Sequence, residues 1–125
     1  GTAVASSDLA ALLALYDFSV LLFKPTLSAS VRIDERGARS YFVGGDAEYP
    51  NDHGFLTQGI SKVEFRSARG PRLEGGGASA QDMGHYTFTC VDGRIIEADY
   101  TFSYHKPADK VLITLHHSSL SVFES

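Results

Sequence analysis

The sequence predicts an α+β domain in which N-terminal helices pack on a strongly curved antiparallel sheet. Before Phe55 the chain carries helical and loop patterns. After Phe55 it carries four runs rich in β-branched and aromatic residues, which is the composition of strands. The runs are joined by short turn-forming segments. Helices followed by an antiparallel meander are typical of the α+β class.

The first predicted element is a helix over residues 8–16. An acidic residue, Asp8, opens it, where the helix dipole favours negative charge. Its apolar side chains recur at the spacing of one helical face: Leu9, Leu12, Leu13 and Tyr16.

A short strand and a second helix follow. The strand is predicted over residues 19–24 and ends at Pro25, because proline holds the residue before it in an extended conformation. The second helix is predicted over residues 34–41, a polar segment interrupted by Gly37, which lowers its helical propensity. Turn-forming residues predict a loop over 44–54.

The four β-rich runs cover residues 61–67, 85–91, 95–104 and 110–123. Asp92-Gly93 between the second and third runs is a hairpin signal. The glycine-rich stretch at 70–77 predicts a flexible link. At 125 residues the chain is expected to form a single domain over 1–125, either a whole protein or one domain of a longer one.

The composition argues against several function classes. Eleven Lys and Arg residues against fifteen Asp and Glu give a net charge of -4, so a nucleic-acid partner is not expected. The single cysteine, Cys90, excludes an internal disulfide and a cysteine-rich zinc site, and we interpret it as a core residue. The sequence holds no clean apolar run of about 20 residues, so no membrane span is expected.

The tetrapeptide His-His-Ser-Ser at residues 116–119 is the most unusual local feature. Adjacent side chains on a regular strand point to opposite faces of the sheet. The two histidines therefore cannot bind one metal ion together unless the strand bulges. A histidine and a serine two residues apart can instead share a face and bind one small polar ligand.

Alternation predicts which pair faces the pocket. His117 and Ser119 fall in the more apolar row of the last strand, with Val111, Ile113 and Leu115. We predict that this row faces the core and that its far end lines a pocket. The opposite row holds His116 and Ser118, which become the pocket pair if the facing of the strand is reversed. A buried histidine that hydrogen-bonds only to backbone is the structural alternative.

Five pieces of the chain resemble, in order, the iota-class carbonic anhydrases, a group within the SnoaL-like and calmodulin-kinase-association-like superfamily. The pieces lie at residues 14–32, 40–42, 84–89, 98–104 and 116–119. They include the sequences KPT, SYF, GHYTFT and HHSS. The resemblance implies a cone-shaped SnoaL-like α+β domain that catalyses the reversible hydration of carbon dioxide to bicarbonate.

The resemblance also implies the polar residues of the pocket. Carried over position by position, they are Thr26 of KPT, Tyr41 of SYF, and a histidine and a serine of HHSS. With the strand facing predicted above, the catalytic set is Thr26, Tyr41, His117 and Ser119. Taken alone, Thr26 is an ordinary residue after a strand end and Tyr41 an ordinary core aromatic.

The family is described as metal-free and, for some members, as manganese- or zinc-dependent. With a single cysteine and a split histidine pair, a closed zinc shell is hard to assemble, so we expect no metal cofactor, with manganese or zinc as the alternative. A histidine, whose ordinary pKa is about 6.5, can then accept the proton. Hydroxyl groups can orient water and hold the bicarbonate oxygens.

Two other functions stay open. One is a non-catalytic association or small-ligand-binding module, since folds of this kind host both binding and catalysis. The other is a polyketide cyclase or isomerase, which needs a carboxylate base in the cavity. We also predict a homodimer paired through the convex face of the sheet. The resemblance suggests a plastid or the cytoplasm of a photosynthetic organism.

Overall fold

The computed structural model of the chain describes residues 6–121. Its helices are α1 (Ser6–Leu13) and α2 (Glu35–Val43), with 3-10 turns at Phe55–Gln58 and Gly75–Gly77. Its strands are β1 (Leu22–Lys24), β2 (Ile60–Ser67), β3 (Arg72–Glu74), β4 (Ser79–Cys90), β5 (Ile95–His105) and β6 (Leu112–Leu120). Within this range no helix has the length and apolar character that crossing a membrane would require.

The strands form one curved sheet in the order β1-β6-β5-β4-β2, with β3 paired to β4. Neighbouring strands run antiparallel, except that β1 runs parallel to β6. The predicted α+β class is confirmed. The sheet is not wholly antiparallel, because β1 pairs with β6 in the parallel direction. The strand predicted over 19–24 is shorter than expected and covers only Leu22–Lys24.

Three other predicted boundaries are wrong. The link at 70–77 contains β3, because residues 72–74 pair with the early part of β4. For the same reason β4 begins at Ser79 and not at residue 85. The last strand is described over Leu112–Leu120, and residues 122 and 123 of the predicted run lie outside the described residues.

Helix α1 also ends earlier than predicted, because the chain turns to pair with β6. Tyr16 forms a parallel bridge with Ile113. The amide of Ile113 donates to the Leu15 carbonyl at 2.8 Å, and the Asp17 amide donates to the Ile113 carbonyl at 2.9 Å. Beyond Leu13 the helix tightens, because the amides of Leu15 and Tyr16 donate to carbonyls three residues back. The hydrogen bonds with Ile113 then bring the Tyr16 ring over the sheet.

Helix α2 covers the same face of the sheet and begins with a side-chain cap. The Asp34 carboxylate accepts a hydrogen bond from the Gly37 amide at 2.8 Å, which satisfies a donor that the first helical turn leaves free. Ala38, Tyr41 and Phe42 recur at i, i+3 and i+4 and are buried against the sheet. They belong to the core, which also contains Leu13, Leu21, Phe23, Phe55, Tyr86, Ala98, Tyr100, Phe102 and Ile113.

A β-bulge interrupts β6. Tyr104 of β5 pairs with Ile113, whereas the preceding residue, Ser103, pairs with Leu115. Thr114 is therefore an extra residue on β6, opposite the single step between the two β5 residues. An extra residue exchanges the two faces of a strand, so the side chains after Thr114 face the side opposite to the one that simple alternation predicts.

Candidate active site

Three hydroxyl groups meet on the concave face of the sheet, below α2. The Ser118 side chain on β6 is fully buried. Its Oγ lies 2.5 Å from Thr26 Oγ1 and accepts a hydrogen bond from the Tyr86 hydroxyl on β4. Thr26 and Tyr86 are buried as well. The cluster thus joins β6, β4 and the segment that follows β1.

The end of β1 places Thr26 against β6. Lys24 Nζ donates to the Ser118 carbonyl at 2.8 Å and to the Pro25 carbonyl at 2.9 Å. Pro25 itself is fully buried, which fixes the direction of the chain as it leaves the strand. Thr26 follows directly, so its hydroxyl reaches the hydroxyl of Ser118.

His116 lies beside this cluster with a hydrogen-bond partner at each ring nitrogen. Its Nδ1 is 3.0 Å from the Tyr16 hydroxyl and its Nε2 is 3.2 Å from the Tyr86 hydroxyl. Two aromatic rings sandwich the imidazole, with centroids 4.7 Å away for Phe23 and 4.3 Å away for Phe102. Burial, and then the neighbouring His117, lower the pKa of His116 to about 3. The ring is therefore neutral at neutral pH.

A neutral imidazole carries one N–H and one free lone pair, which fixes the directions of these hydrogen bonds. The Tyr86 hydroxyl donates to Ser118, so its oxygen accepts from Nε2–H of His116. Nδ1 then accepts from the Tyr16 hydroxyl, and Ser118 is left to donate to Thr26. We call this continuous series, from Tyr16 through His116, Tyr86 and Ser118 to Thr26, the hydroxyl–imidazole chain.

Tyr41 lies at the Thr26 end of the chain. Its hydroxyl oxygen accepts a hydrogen bond from the Leu27 amide at 3.2 Å. Burial raises the pKa of Tyr41 to about 12, although hydrogen bonds to Leu27 and Thr26 act in the opposite direction. Tyr41 is therefore a neutral hydroxyl donor beside Thr26 at physiological pH.

The predicted facing of the last strand is wrong beyond Thr114. His117 is exposed and Ser119 half-buried on the convex face, whereas His116 and Ser118 face the core. Of the three apolar residues predicted to face the core, Ile113 does so, whereas Val111 is exposed ahead of the strand and Leu115 lies on the convex face. The bulge at Thr114 then reverses the alternation. Two of the four predicted site residues, Thr26 and Tyr41, therefore lie with the second-choice pair of His116 and Ser118. The other two, His117 and Ser119, lie on the opposite face.

Two tyrosines of the cluster were not predicted as site residues. Tyr86 lies in the GHYTFT segment, and Tyr16 ends the apolar face of the first helix. Both positions carry the pattern of core aromatics. The available signal was that a buried tyrosine hydroxyl needs a hydrogen-bond partner, but the sequence alone does not show that both partners are atoms of one histidine.

A buried ion pair lies near Tyr41, at the Thr26 end of the site. The Arg32 guanidinium, 2% exposed, donates to the two carboxylate oxygens of Asp52, 5% exposed, at 2.7 and 2.8 Å. It also donates to the Gly37 carbonyl at 2.8 Å, and Ser40 Oγ donates to Asp52 at 2.7 Å. The hydrogen bond from Arg32 holds the pKa of Asp52 below its usual range. We call this the Arg32–Asp52 pair.

The Arg32–Asp52 pair joins the three segments that position Thr26 and Tyr41. Arg32 follows Thr26 on the link from β1 to α2, Gly37 and Ser40 lie in α2 beside Tyr41, and Asp52 lies in the loop after α2. The Tyr49 ring covers the guanidinium, 4.2 Å from its carbon. A side chain at position 37 would meet Arg32 at 3.2 Å, which explains a glycine inside the helix.

Two surface cavities lie on either side of the hydroxyl–imidazole chain, one lined by Tyr41, which neighbours Thr26, and the other lined by Tyr16. The first, of about 280 Å³, is lined by Tyr41 together with Leu27, Asp52, His53, Gln58 and Arg94; we call it the loop cavity. The second, of about 430 Å³, lies between α1 and α2 and is lined by Tyr16 together with Leu13, Glu35 and Arg39; we call it the helix groove. The hydroxyl–imidazole chain thus lies between two separate surface cavities.

The described part of the chain contains no group of three or more His, Cys, Asp or Glu side chains placed to hold a metal ion. Both nitrogens of His116 are directed at tyrosine hydroxyls. The polar groups around Ser118 and Thr26 are hydroxyls, whereas zinc sites use thiolate, imidazole and carboxylate ligands. The chemistry this arrangement supports is hydrogen bonding to a small oxygen-rich molecule.

Comparison with known proteins identifies one family. A family model described as metal-independent carbonic anhydrase matches residues 2–120. A curated metal-independent carbonic anhydrase from Nostoc sp. is 38% identical over 109 residues, which are 84% of this chain and 52% of that protein. The chain therefore spans about half the length of this relative.

Comparison with solved structures points to the same family. The crystal structure of an iota-carbonic anhydrase from a cyanobacterium, complexed with bicarbonate, matches 95% of this chain and 77% of that chain with a TM-score of 0.81 and 32% identity. A Xanthomonas campestris protein described as a candidate calcium/calmodulin-dependent protein kinase II association domain matches 94% of this chain and 76% of that chain, with a TM-score of 0.64 and 30% identity.

Proposed function

The chain belongs to the metal-independent carbonic anhydrase family, and on that premise we propose that it catalyses the reversible hydration of carbon dioxide to bicarbonate. The observation that carries the proposal is the buried hydroxyl cluster of Thr26, Tyr86 and Ser118 beside a neutral His116. Such a cluster can hold an oxygen-rich anion by hydrogen bonds and can exchange protons with it.

We assign the catalytic roles to Thr26, Tyr41, His116 and Ser118. Hydration requires that a water oxygen attack the carbon of carbon dioxide while the water loses a proton. The hydroxyls of Thr26 and Tyr41 orient the water and donate to the bicarbonate oxygens, where negative charge develops. The proton moves into the hydroxyl–imidazole chain through Thr26 and Ser118. His116, with its pKa near 3, passes the proton on and does not store it.

The loop cavity supports this assignment. It adjoins Tyr41, and its lining includes the side chains of Arg94 and His53. Arg94 carries a positive charge at neutral pH, although it also pairs with Asp92 at 2.9 Å. In a chain of net charge -4, a local positive group favours the approach of bicarbonate to this cavity.

The first test is carbon dioxide hydration after metal removal. We propose that the protein needs no metal, in keeping with the description of its family. Stopped-flow rates measured with a pH indicator should be the same before and after dialysis against a chelator, because hydroxyls and an imidazole supply the chemistry. Elemental analysis of the active sample should show no stoichiometric metal.

Two results count against this proposal. One zinc or manganese per chain, with activity lost on stripping and restored on return of the metal, would establish a metal enzyme. A folded protein with no hydration activity in either state would support the association module instead, because the Xanthomonas protein named as an association domain has the same fold.

We propose that the chain forms a homodimer through the convex face of the sheet. Leu22 on β1 and Met83 on β4 are exposed apolar side chains on that face. Leu22 lies beside Leu115 of β6, so part of the convex face is an apolar patch that a second copy would cover. Leu112 shares this face before the bulge, whereas His116 and Ser118 face the core.

Light scattering at micromolar concentration should give twice the mass of the chain. The Leu22→Glu variant should shift the protein toward monomer, because it places two like charges in the proposed interface. A monodisperse wild-type monomer would rule out the dimer.

We also propose a plastid or the cytoplasm of a photosynthetic organism as the location. The support is the cyanobacterial source of the bicarbonate-bound relative. Fractionation of the source cells, followed by detection with an antibody against the chain, tests this proposal.

A further inference from the structure

The hydroxyl–imidazole chain does not end at the proposed substrate site. Tyr41, which lies beside Thr26, lines the loop cavity, whereas the far member of the hydroxyl–imidazole chain, Tyr16, lies on the other side of His116. Tyr16 is also the member of the chain that lines the helix groove. A buried series of proton donors and acceptors with one end at the substrate and the other beside a surface groove is suited to moving protons.

We propose that Tyr16 is the proton port of the enzyme, so that carbon dioxide and bicarbonate use the loop cavity while the proton enters or leaves through the helix groove. This inference rests on the proposed carbonic anhydrase activity. The reaction needs such a route, since each hydration releases one proton and each dehydration consumes one.

The hydrogen-bond directions in the resting chain point from Tyr16 toward Thr26. In dehydration Thr26 gives its hydroxyl proton to the hydroxyl oxygen of bicarbonate, the bond from that oxygen to carbon breaks, and water and carbon dioxide leave. Thr26 takes the proton of Ser118, and Ser118 takes that of Tyr86. Tyr86 then takes the proton from Nε2 of His116.

The remaining proton transfers end at the helix groove, where one proton is taken up from solvent. Nδ1 of His116 takes the proton of Tyr16, and Tyr16 takes one from water or buffer in the helix groove. The imidazole has then changed tautomer, and every hydrogen in the chain points back toward Tyr16. Hydration is the reverse sequence: one proton leaves at Tyr16 and the resting directions are restored. No group has to keep a charge between turnovers.

The surroundings of Tyr16 fit this role. Burial is the main cause that raises the pKa of its hydroxyl, so Tyr16 passes a proton by exchange and does not ionise. Glu35 and Arg39 pair at 2.8 Å at the rim of the groove. Both side chains are exposed to solvent there, so the rim of the groove is polar.

The Tyr16→Phe variant tests the port, because it removes one oxygen and little volume. Because no group of the hydroxyl–imidazole chain stores the proton, its transfer through Tyr16 is part of the same step as the chemistry, so the loss of that hydroxyl should lower kcat and kcat/KM together at least about tenfold. A small buffer such as imidazole at high concentration should restore both parameters in part, since it can exchange protons at the groove that position 16 lines. A purely structural defect would also lower both parameters, but it would not respond to buffer.

Two further variants complete the experiment. Ala10→Trp places a large ring on an exposed residue that lines the groove, and it should produce the same loss of kcat even if Tyr16→Phe folds poorly. Tyr104→Phe removes the hydroxyl of a half-buried tyrosine on β5. Tyr104 is not part of the hydroxyl–imidazole chain, so this variant should behave as wild type.

The outcomes separate this inference from the proposed function. A wild-type protein without carbon dioxide hydration overturns the proposed function, and the port with it. An active wild type whose kcat is unchanged in both Tyr16→Phe and Ala10→Trp overturns the port alone. An equal fall of kcat and kcat/KM without buffer rescue also overturns it, because Tyr16 would then only position His116.

Discussion

Replacing Arg32 with methionine is expected to lower the free energy of unfolding by about 3 to 5 kcal/mol, because it leaves the Asp52 carboxylate buried without its partner. Asp52 is 5% exposed and receives two of its three hydrogen bonds from Arg32. Methionine keeps much of the apolar stem and removes the charge. Urea unfolding followed by circular dichroism measures the loss.

The matched control is Arg36→Met. Arg36 also makes a two-point ion pair, with Asp46 at 2.7 and 2.9 Å, but its side chain is exposed to water. Exposed pairs contribute little to stability, so this variant should unfold close to the wild type. A loss for Arg32→Met no larger than that for Arg36→Met would show that the Arg32–Asp52 pair does not hold the site segments together.

The pair also predicts how stability depends on pH. Asp52 has a lowered pKa in the folded protein, chiefly because Arg32 donates to it. Its contribution is therefore complete above the ordinary aspartate pKa of about 3.9 and is lost as the pH falls through the lower folded value. In Arg32→Met this part of the acid destabilisation should be absent.

The second large effect is expected for Ser118→Ala, on activity. Ser118 Oγ is the atom that joins Thr26 to Tyr86, so its removal breaks the hydroxyl–imidazole chain and leaves two buried hydroxyls with one partner fewer. We expect carbon dioxide hydration to fall on the order of tenfold to a thousandfold, as when a positioned donor is removed. Circular dichroism should show a folded protein, and an unchanged rate in that protein would contradict the role of Ser118.

The strands of the sheet were largely predictable because their signals are local. The Asp92-Gly93 turn joins β4 and β5, and Gly93 has a positive φ of 92°, which glycine adopts without strain. The resemblance also gave the correct family, and it named Thr26 and Tyr41, which the structure places at the buried hydroxyl cluster. These features follow from residue types that are neighbours in the sequence.

The facing of His116 and Ser118 was not predictable in this way. It depends on the extra residue at Thr114, and a bulge has no fixed sequence pattern on a strand of alternating apolar and polar residues. The Arg32–Asp52 pair was missed for a related reason. Its two members are 20 residues apart and meet only when the loop folds back over α2.

The most direct test of the account compares Ser118→Ala with Ser119→Ala in metal-stripped protein. The two serines are adjacent and receive the same substitution, but Ser118 lies in the core cluster whereas Ser119 faces the convex side. We predict that stopped-flow carbon dioxide hydration is at least about ten times slower in Ser118→Ala and near the wild-type rate in Ser119→Ala. Equal rates, or a greater loss in Ser119→Ala, would contradict a metal-free site built on Thr26, His116 and Ser118.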